Sequence, residues 1–250
     1  MLAIDVGNTH IKSAIFDGPA IRDTFILSTE ECLQQDSYLG LIPGTLSSLP
    51  KTVVISSVRK SIREIMAREF YGKTGLKPFF ADIDTDMGIR NLYKTRETLG
   101  IDRLVNASAA HHLYHRGVKP MIVVDMGTAT TIDYIRADGS FLGGAIAPGL
   151  YSAYNGLRIS APALPEIKIA PATKVIGETT QECMNSGVII AHAAMIMAMA
   201  AMMAANADPV VIITGGISRF LDAWFKEGYI IDRDLTLKGL RIIYERNAQK

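Results

Sequence analysis

Apolar and polar positions alternate along the first part of the chain, with one interruption. Ala3-Ile4-Asp5-Val6 runs into Gly7-Asn8-Thr9, and the period of two resumes from Ile11 to Phe16. Halfway along, the figure repeats. Val123-Val124-Asp125-Met126 runs into Gly127-Thr128-Ala129-Thr130, and a second alternating run follows from Thr131 to Ile135. Two strand-like runs around a short break containing Gly and small polar residues predict a tight β-hairpin. In each copy the first strand ends in Asp-x-Gly. The glycine allows positive φ and close backbone approach.

Between and after the copies the period changes. Helical spacing predicts helices at Thr29–Leu41, Ser61–Tyr71 and Ile101–Tyr114, the last ending near Gly117, and β-branched or aromatic runs predict strands at Thr52–Ser57 and Pro78–Ala81. Gly143 to Gly149 reads as a Gly/Pro/Ala-rich connection. Val210 to Thr214 is a short apolar run that enters Gly215-Gly216, with a helix predicted from Ser218. Strands alternating with helices, plus two hairpins, predict an α/β chain with mixed sheets.

One segment raises a different possibility. Val188 to Ala205 is apolar except for His192 and is long enough to be tested as a membrane span. Ala and Met dominate it, and its flanks carry neither an aromatic belt nor a basic cluster. That composition favours a helix packed against a sheet and a neighbouring helix or subunit. His192 is then a satisfied buried histidine rather than a ligand.

Bulk properties narrow the class. With 250 residues the chain can bury a sizeable core in two domains, and 26 Lys+Arg against 25 Asp+Glu leave no charge excess to attract nucleic acid or a membrane. Cys32 and Cys183 show neither a disulfide framework nor zinc spacing, and the N-terminus lacks a signal-peptide pattern. A cytoplasmic enzyme is the expectation.

The hairpins carry the chemistry. Turn amides bind anions, whereas strand-end carboxylates need a cation or a donor; a metal-accompanied polyphosphate such as ATP satisfies both. The strand entering Gly215-Gly216 leaves room for an adenosine. No Walker GxxxxGK[ST] run competes for the phosphates.

Together, the two Asp-Gly hairpins and the late Gly-Gly resemble the phosphate 1, phosphate 2 and adenosine motifs of the acetate and sugar kinase, Hsp70 and actin superfamily. Within it, Asp5-Val6-Gly7-Asn8-Thr9, Gly100-Ile101-Asp102-Arg103, Asp125-Met126-Gly127-Thr128-Ala129-Thr130, Gly143 through Gly149, and Thr180 through Gly187 resemble type III pantothenate kinase in order along nearly the whole chain. The resemblance implies two ribonuclease H-like domains of duplicated topology with mixed central sheets, at residues 1–117 and 118–250. It also implies ATP-dependent phosphorylation of pantothenate to 4′-phosphopantothenate, the entry to coenzyme A synthesis.

The same resemblance assigns roles. Asp5 would organise the divalent cation, magnesium, and the stretch Asp5, Val6, Gly7, Asn8, Thr9, His10, Ile11 and Lys12 would cradle ATP with Thr128, Gly215 and Gly216. Asp125 would hold an activating monovalent cation, potassium or ammonium. Asp102 matches the general base, and Tyr93, Gly100, Ile101, Arg103 and Thr180 would line the pantothenate pocket, Thr180 reaching across a homodimer interface. A carboxylate at a helix start is kept ionised by the helix dipole, and Arg103 offers a planar fork to a substrate carboxylate.

Plainer readings exist for these residues. Asp102 and Arg103 fit a helix-start acid and a surface cation, Tyr93 a core aromatic, and Thr180 a helix cap. Where the family commonly has proline, this chain has Arg96, which frees φ and leaves the substrate loop less preset. His111 and His115 are one helical turn apart, but without a third ligand they read as cations at a helix C-terminus. Other readings of the whole chain are a different small-molecule kinase or phosphohydrolase of the superfamily, and a non-enzymatic transcription accessory factor.

Overall fold

In the computed structural model, residues 1–42, 49–114, 118–225 and 227–248 are described. Contacts divide the chain into two compact units, Met1–His112 with the C-terminal segment from Leu235, and Leu113–Asp234. The sequence-derived domain boundary at residues 117/118 touches the undescribed stretch 115–117, and the C-terminal helix joins the first unit.

The first unit begins with an antiparallel meander, β1 (Leu2–Val6), β2 (His10–Asp17) and β3 (Ala20–Ser28). After α1 (Thr29–Gln34), β4 (Val53–Ser57) pairs parallel to β1; after α2 (Lys60–Thr74), β5 (Phe79–Phe80) pairs parallel to β4. The order is β3-β2-β1-β4-β5. Parallel neighbours require a crossover, which the helical segments supply. Strand β1 is buried at every position but one, Asp5. Ile4 and Ile55 lie side by side at 0% exposure, each burial contributing about 1.5–3 kcal/mol. A two-residue strand β6 (Arg90–Asn91) and a 3-10 turn at Arg96–Thr98 lead into α3 (Ile101–Tyr114), and α7 (Leu235–Asn247) packs on β1 and β4.

The second unit repeats this plan. The meander β7 (Met121–Met126), β8 (Ala129–Ile135) and β9 (Ser140–Pro148) is followed by α4 (Leu150–Ser160), α5 (Thr180–Asn185), a π-helical turn at Ser186–Ile190 and α6 (Ala191–Ala204). Then β10 (Val210–Thr214) pairs parallel to β7, a 3-10 turn spans Gly216–Phe220, and β11 (Tyr229–Ile231) pairs parallel to β10. These five strands lie in the order β9-β8-β7-β10-β11. In both units the first meander strand is central and receives a parallel strand on its other edge. This is the duplicated ribonuclease H-like arrangement with mixed sheets.

Several predicted bounds change. Helix α1 stops at Gln34 rather than Leu41, because Asp36 takes φ +48° and the buried Glu69 carboxylate accepts the backbone N–H groups of Tyr38 and Leu39. Helix α2 runs past Tyr71 to Thr74, where Gly75 supplies a left-handed cap at φ 73°. The Gly143–Gly149 connection is largely strand β9: a Cβ on Gly144 would lie 1.8 Å from the Ile132 carbonyl oxygen, so glycine there marks a close strand approach. The helix predicted from Ser218 is only the 3-10 turn.

The long apolar segment is helical from Thr180 to Ala204, and its most apolar 18-residue stretch has mean hydropathy 2.0. It is not buried all round. His192, Ala193, Ile196 and Ala200 are buried, the last three in the hydrophobic core of the second unit, while Met197 and Met202 are exposed.

Candidate functional site

In the first unit the hairpin between β1 and β2 presents its tip to solvent: Asn8, Thr9 and His10 are exposed, Val6 and Ile11 are buried. The Gly7 N–H donates to the His10 carbonyl at 2.9 Å, closing the turn. Of the two freedoms glycine allows, Gly7 uses close approach and not positive φ: a Cβ would sit 3.1 Å from that same carbonyl oxygen. Asp5 lies opposite Lys12 on β2 and beside Ser56 on β4. The Ser56 hydroxyl donates to Asp5 Oδ1 at 2.8 Å, which fixes the carboxylate. Ser56 was missed by sequence reasoning; its only signal is a serine at the end of a buried β-branched strand that becomes Asp5's neighbour.

Asp5 offers hard oxygen ligands, which suit magnesium; that ion is usually held by one or two carboxylates plus substrate phosphates. Among the described residues no group of three or more His, Cys, Asp or Glu comes together. A one-carboxylate site completed by nucleotide phosphates fits these donors. His115 of the considered histidine pair lies outside the described residues.

Also in the first unit, Gly100, Ile101, Asp102 and Arg103 form the entry to α3. Asp102 Oδ1 accepts the Arg103 N–H at 2.9 Å, and Arg103 N–H also reaches the Gly100 carbonyl at 3.2 Å. A Cβ on Gly100 would lie 2.5 Å from Asp102 Oδ1, so the glycine lets the carboxylate fold back over its own helix start. Arg103 is not a surface cation: it is 6% exposed, with its guanidinium 5.5 Å from the centre of the half-buried Tyr93 ring. Tyr93, Gly100, Asp102 and Arg103 are therefore one cluster. Arg96 replaces the restraint of a proline ring by hydrogen bonds, donating to the Ile83 carbonyl at 3.2 Å and to Asp84 at 3.4 Å. A cavity of about 220 Å³ beside this segment is lined by Ile83, Asp86, Met87, Asn91, Arg96 and Leu104.

In the second unit, Asp125 is the partly exposed position of β7, and Thr128 is exposed in the following turn. Gly127 likewise stays outside the positive-φ region. The turn is gripped from the start of α4: the N-cap Gly149 N–H donates to the Thr128 carbonyl at 3.1 Å and the Ser152 hydroxyl to the same oxygen at 2.7 Å. Gly215, at φ 88°, passes directly over β7; a Cβ there would be 2.4 Å from the Met126 carbonyl oxygen and 2.7 Å from Asp125 Oδ1. Asp125 and the Gly215-Gly216 turn are thus adjacent, with Gly216 exposed. Thr180 is exposed at the first position of α5 but is not its cap: Thr179 caps, in a reciprocal box with Glu182.

His192 is satisfied as expected, its Nε2 2.9 Å from the Thr130 hydroxyl. Burial holds its pKa below the ordinary histidine value.

Comparison with known proteins adds to this geometry. A family model described as type III pantothenate kinase matches residues 1–202. A type III pantothenate kinase from Anaeromyxobacter sp. strain K is 33% identical, the alignment covering 99% of each chain. Its counterpart from Geobacter sulfurreducens is 33% identical with both chains fully covered. Among solved structures, a Campylobacter jejuni protein described as a Baf family transcriptional activator aligns over the whole of both chains with TM-score 0.64 and 21% identity, a likeness of fold alone.

Proposed function

Because the chain belongs to the type III pantothenate kinase family, a family of phosphotransferases, we propose that it phosphorylates pantothenate with ATP through Asp102, which in sequence falls between the two phosphate-handling hairpins. The single observation that carries the assignment of residues is the Gly100–Arg103 cluster, where a carboxylate, a buried guanidinium and an aromatic ring meet at one helix start.

In this reading Asp102 accepts the proton of the pantothenate primary hydroxyl as phosphorus is transferred. The transition state of such transfers is loose, so orientation and charge neutralisation contribute more than base strength. A carboxylate in the first turn of a helix is favoured as an anion by the helix dipole and can orient the hydroxyl in that form. Arg103 pairs with the substrate carboxylate, backed by the Tyr93 ring. Asp5, fixed by Ser56, holds magnesium, which when bound with ATP neutralises phosphate charge. The turn from Asp5 to Lys12 and Thr128 bind the phosphates, and Gly215-Gly216 flank the adenosine.

Asp125 is assigned the monovalent cation, potassium or ammonium. The exposed apolar face of α6, with Met197 and Met202, is assigned to a homodimer interface, which brings Thr180 to the partner's pantothenate pocket. The same assignment seats the helix against protein rather than in a membrane, and in this reading the enzyme is cytoplasmic.

A coupled ADP-release assay with pantothenate, run in sodium and then in potassium or ammonium, tests the proposal. Pantothenate-dependent turnover, raised by potassium or ammonium, is the expected result. Absence of pantothenate-dependent turnover under every cation refutes it.

A further inference from the structure

Thr29 is the first residue of α1 and is 1% exposed. Its position suggests a helix cap, yet Ser28 already fills that role, its hydroxyl accepting the Glu31 N–H. The Thr29 hydroxyl instead reaches back to the β1–β2 turn and donates to the Gly7 carbonyl at 3.0 Å. The Thr29 backbone N–H donates to the Thr9 carbonyl, also at 3.0 Å. One buried residue thus holds two carbonyls of the turn.

The consequence follows from the planar trans peptide, in which each C=O points opposite to the N–H of the next residue. Pinning the Gly7 and Thr9 carbonyls toward Thr29 turns the N–H groups of Asn8 and His10 the other way. A turn whose amides share a fixed direction is preorganised for an anion, and an anion bound there loses less to reordering.

The anchor is itself firmly seated. Cys32, on the same helix, is fully buried, and the chain beyond the helix is tied to α2 through Glu69, which accepts from Ser37 Oγ at 2.7 Å and from the N–H groups of Tyr38 and Leu39 at 2.6 and 3.0 Å. Glu69 is paired in turn with Lys73 at 2.7 Å.

We propose that Thr29 is a positioning residue for ATP: through the Gly7 and Thr9 carbonyls it aims the turn amides at the nucleotide phosphates. This rests on the reading of the Asp5–Lys12 turn as the phosphate cradle.

The test compares Thr29→Val, which keeps shape and backbone N–H but loses the hydroxyl donor, with Thr29→Ser, which keeps it. Calorimetric titration of the full-length protein with Mg-ATP, and the KM values of both substrates, are the readouts. Thr29→Val weakens Mg-ATP binding about tenfold, the cost of one lost hydrogen bond, while the pantothenate KM stays put and Thr29→Ser restores ATP binding. If Thr29→Val fails to fold, Thr29→Ala makes the same comparison. ATP affinity unchanged on loss of the hydroxyl, or ATP and pantothenate affinities lost in equal measure, overturns the proposal. Gly7→Val separates the two layers. If it weakens ATP binding while Thr29→Val does not, the cradle reading stands and the role of Thr29 falls; if neither variant weakens it, both fall.

Discussion

Gly215 lies against Asp125 so closely that a single added carbon would come within 2.7 Å of the Asp125 carboxylate. It would also come within 2.4 Å of the Met126 carbonyl oxygen, and the backbone at φ 88°, ψ 145° is one that residues with side chains rarely adopt. Gly215→Ala must therefore shift the chain at the end of β10 away from β7, because moving the carboxylate alone leaves the clash with the Met126 carbonyl. We expect a stability loss of about 1–3 kcal/mol by denaturant unfolding, and a weakened response to potassium.

Ser56 and Asp5 make the equivalent test in the first unit. Groups that orient a metal-binding carboxylate typically contribute about 10–100-fold in metal affinity or activity. Ser56→Ala should raise the magnesium concentration needed for half-maximal turnover by a factor in that range, and Ser56→Thr should raise it less. Magnesium titration of turnover at fixed ATP checks both.

The two hairpins were legible because strand alternation, the strand-end aspartate and the polar break all sit within a dozen consecutive residues. Their glycines were legible as residues but not as mechanism: neither Gly7 nor Gly127 uses positive φ, whereas Gly215 does. What stayed hidden depended on partners distant in sequence. Helix α1 ends early because Glu69, on another helix, takes over the amides that a longer α1 would have paired internally. Ser56 and Thr29 gain meaning only once β4 and α1 fold beside the first hairpin. Gly143–Gly149 looked like a loop because glycine is depleted in strands, but Gly144 is required by its approach to Ile132. Helix α7 and strand β11 were not anticipated.

His192 gives the second unit a pH signature. Burial keeps it neutral in the folded state, its pKa below the ordinary 6.5, whereas the unfolded chain takes up a proton there as pH falls through that value. Stability is thus fully present above about 6.5 and declines below it, by at most about 1.4 kcal/mol per pH unit for one proton. Thermal melts between pH 7.5 and 5.5 should show the decline, and His192→Gln should flatten it.

The two thiols should differ in reactivity. Cys32 is fully buried, and burial, aided by the charges of Glu69 and Asp36, pushes its pKa up to about 11. Cys183 is exposed. Because the thiolate is the reactive form, an aromatic disulfide reagent at pH 8 should titrate one thiol in the native protein and two in denaturant. Cys183→Ser should abolish the native reaction.

Asp102 carries the central claim, and its conversion to asparagine tests it most directly because size and hydrogen-bond reach are nearly preserved while the charge is removed. Pantothenate-dependent ADP release by Asp102→Asn, measured beside calorimetric ATP binding, separates chemistry from nucleotide affinity. We predict that turnover falls by about 100-fold or more, the range of a positioned general base, with ATP affinity retained. Turnover equal to that of the unsubstituted enzyme would contradict the assignment of Asp102 as the residue that receives the pantothenate hydroxyl proton.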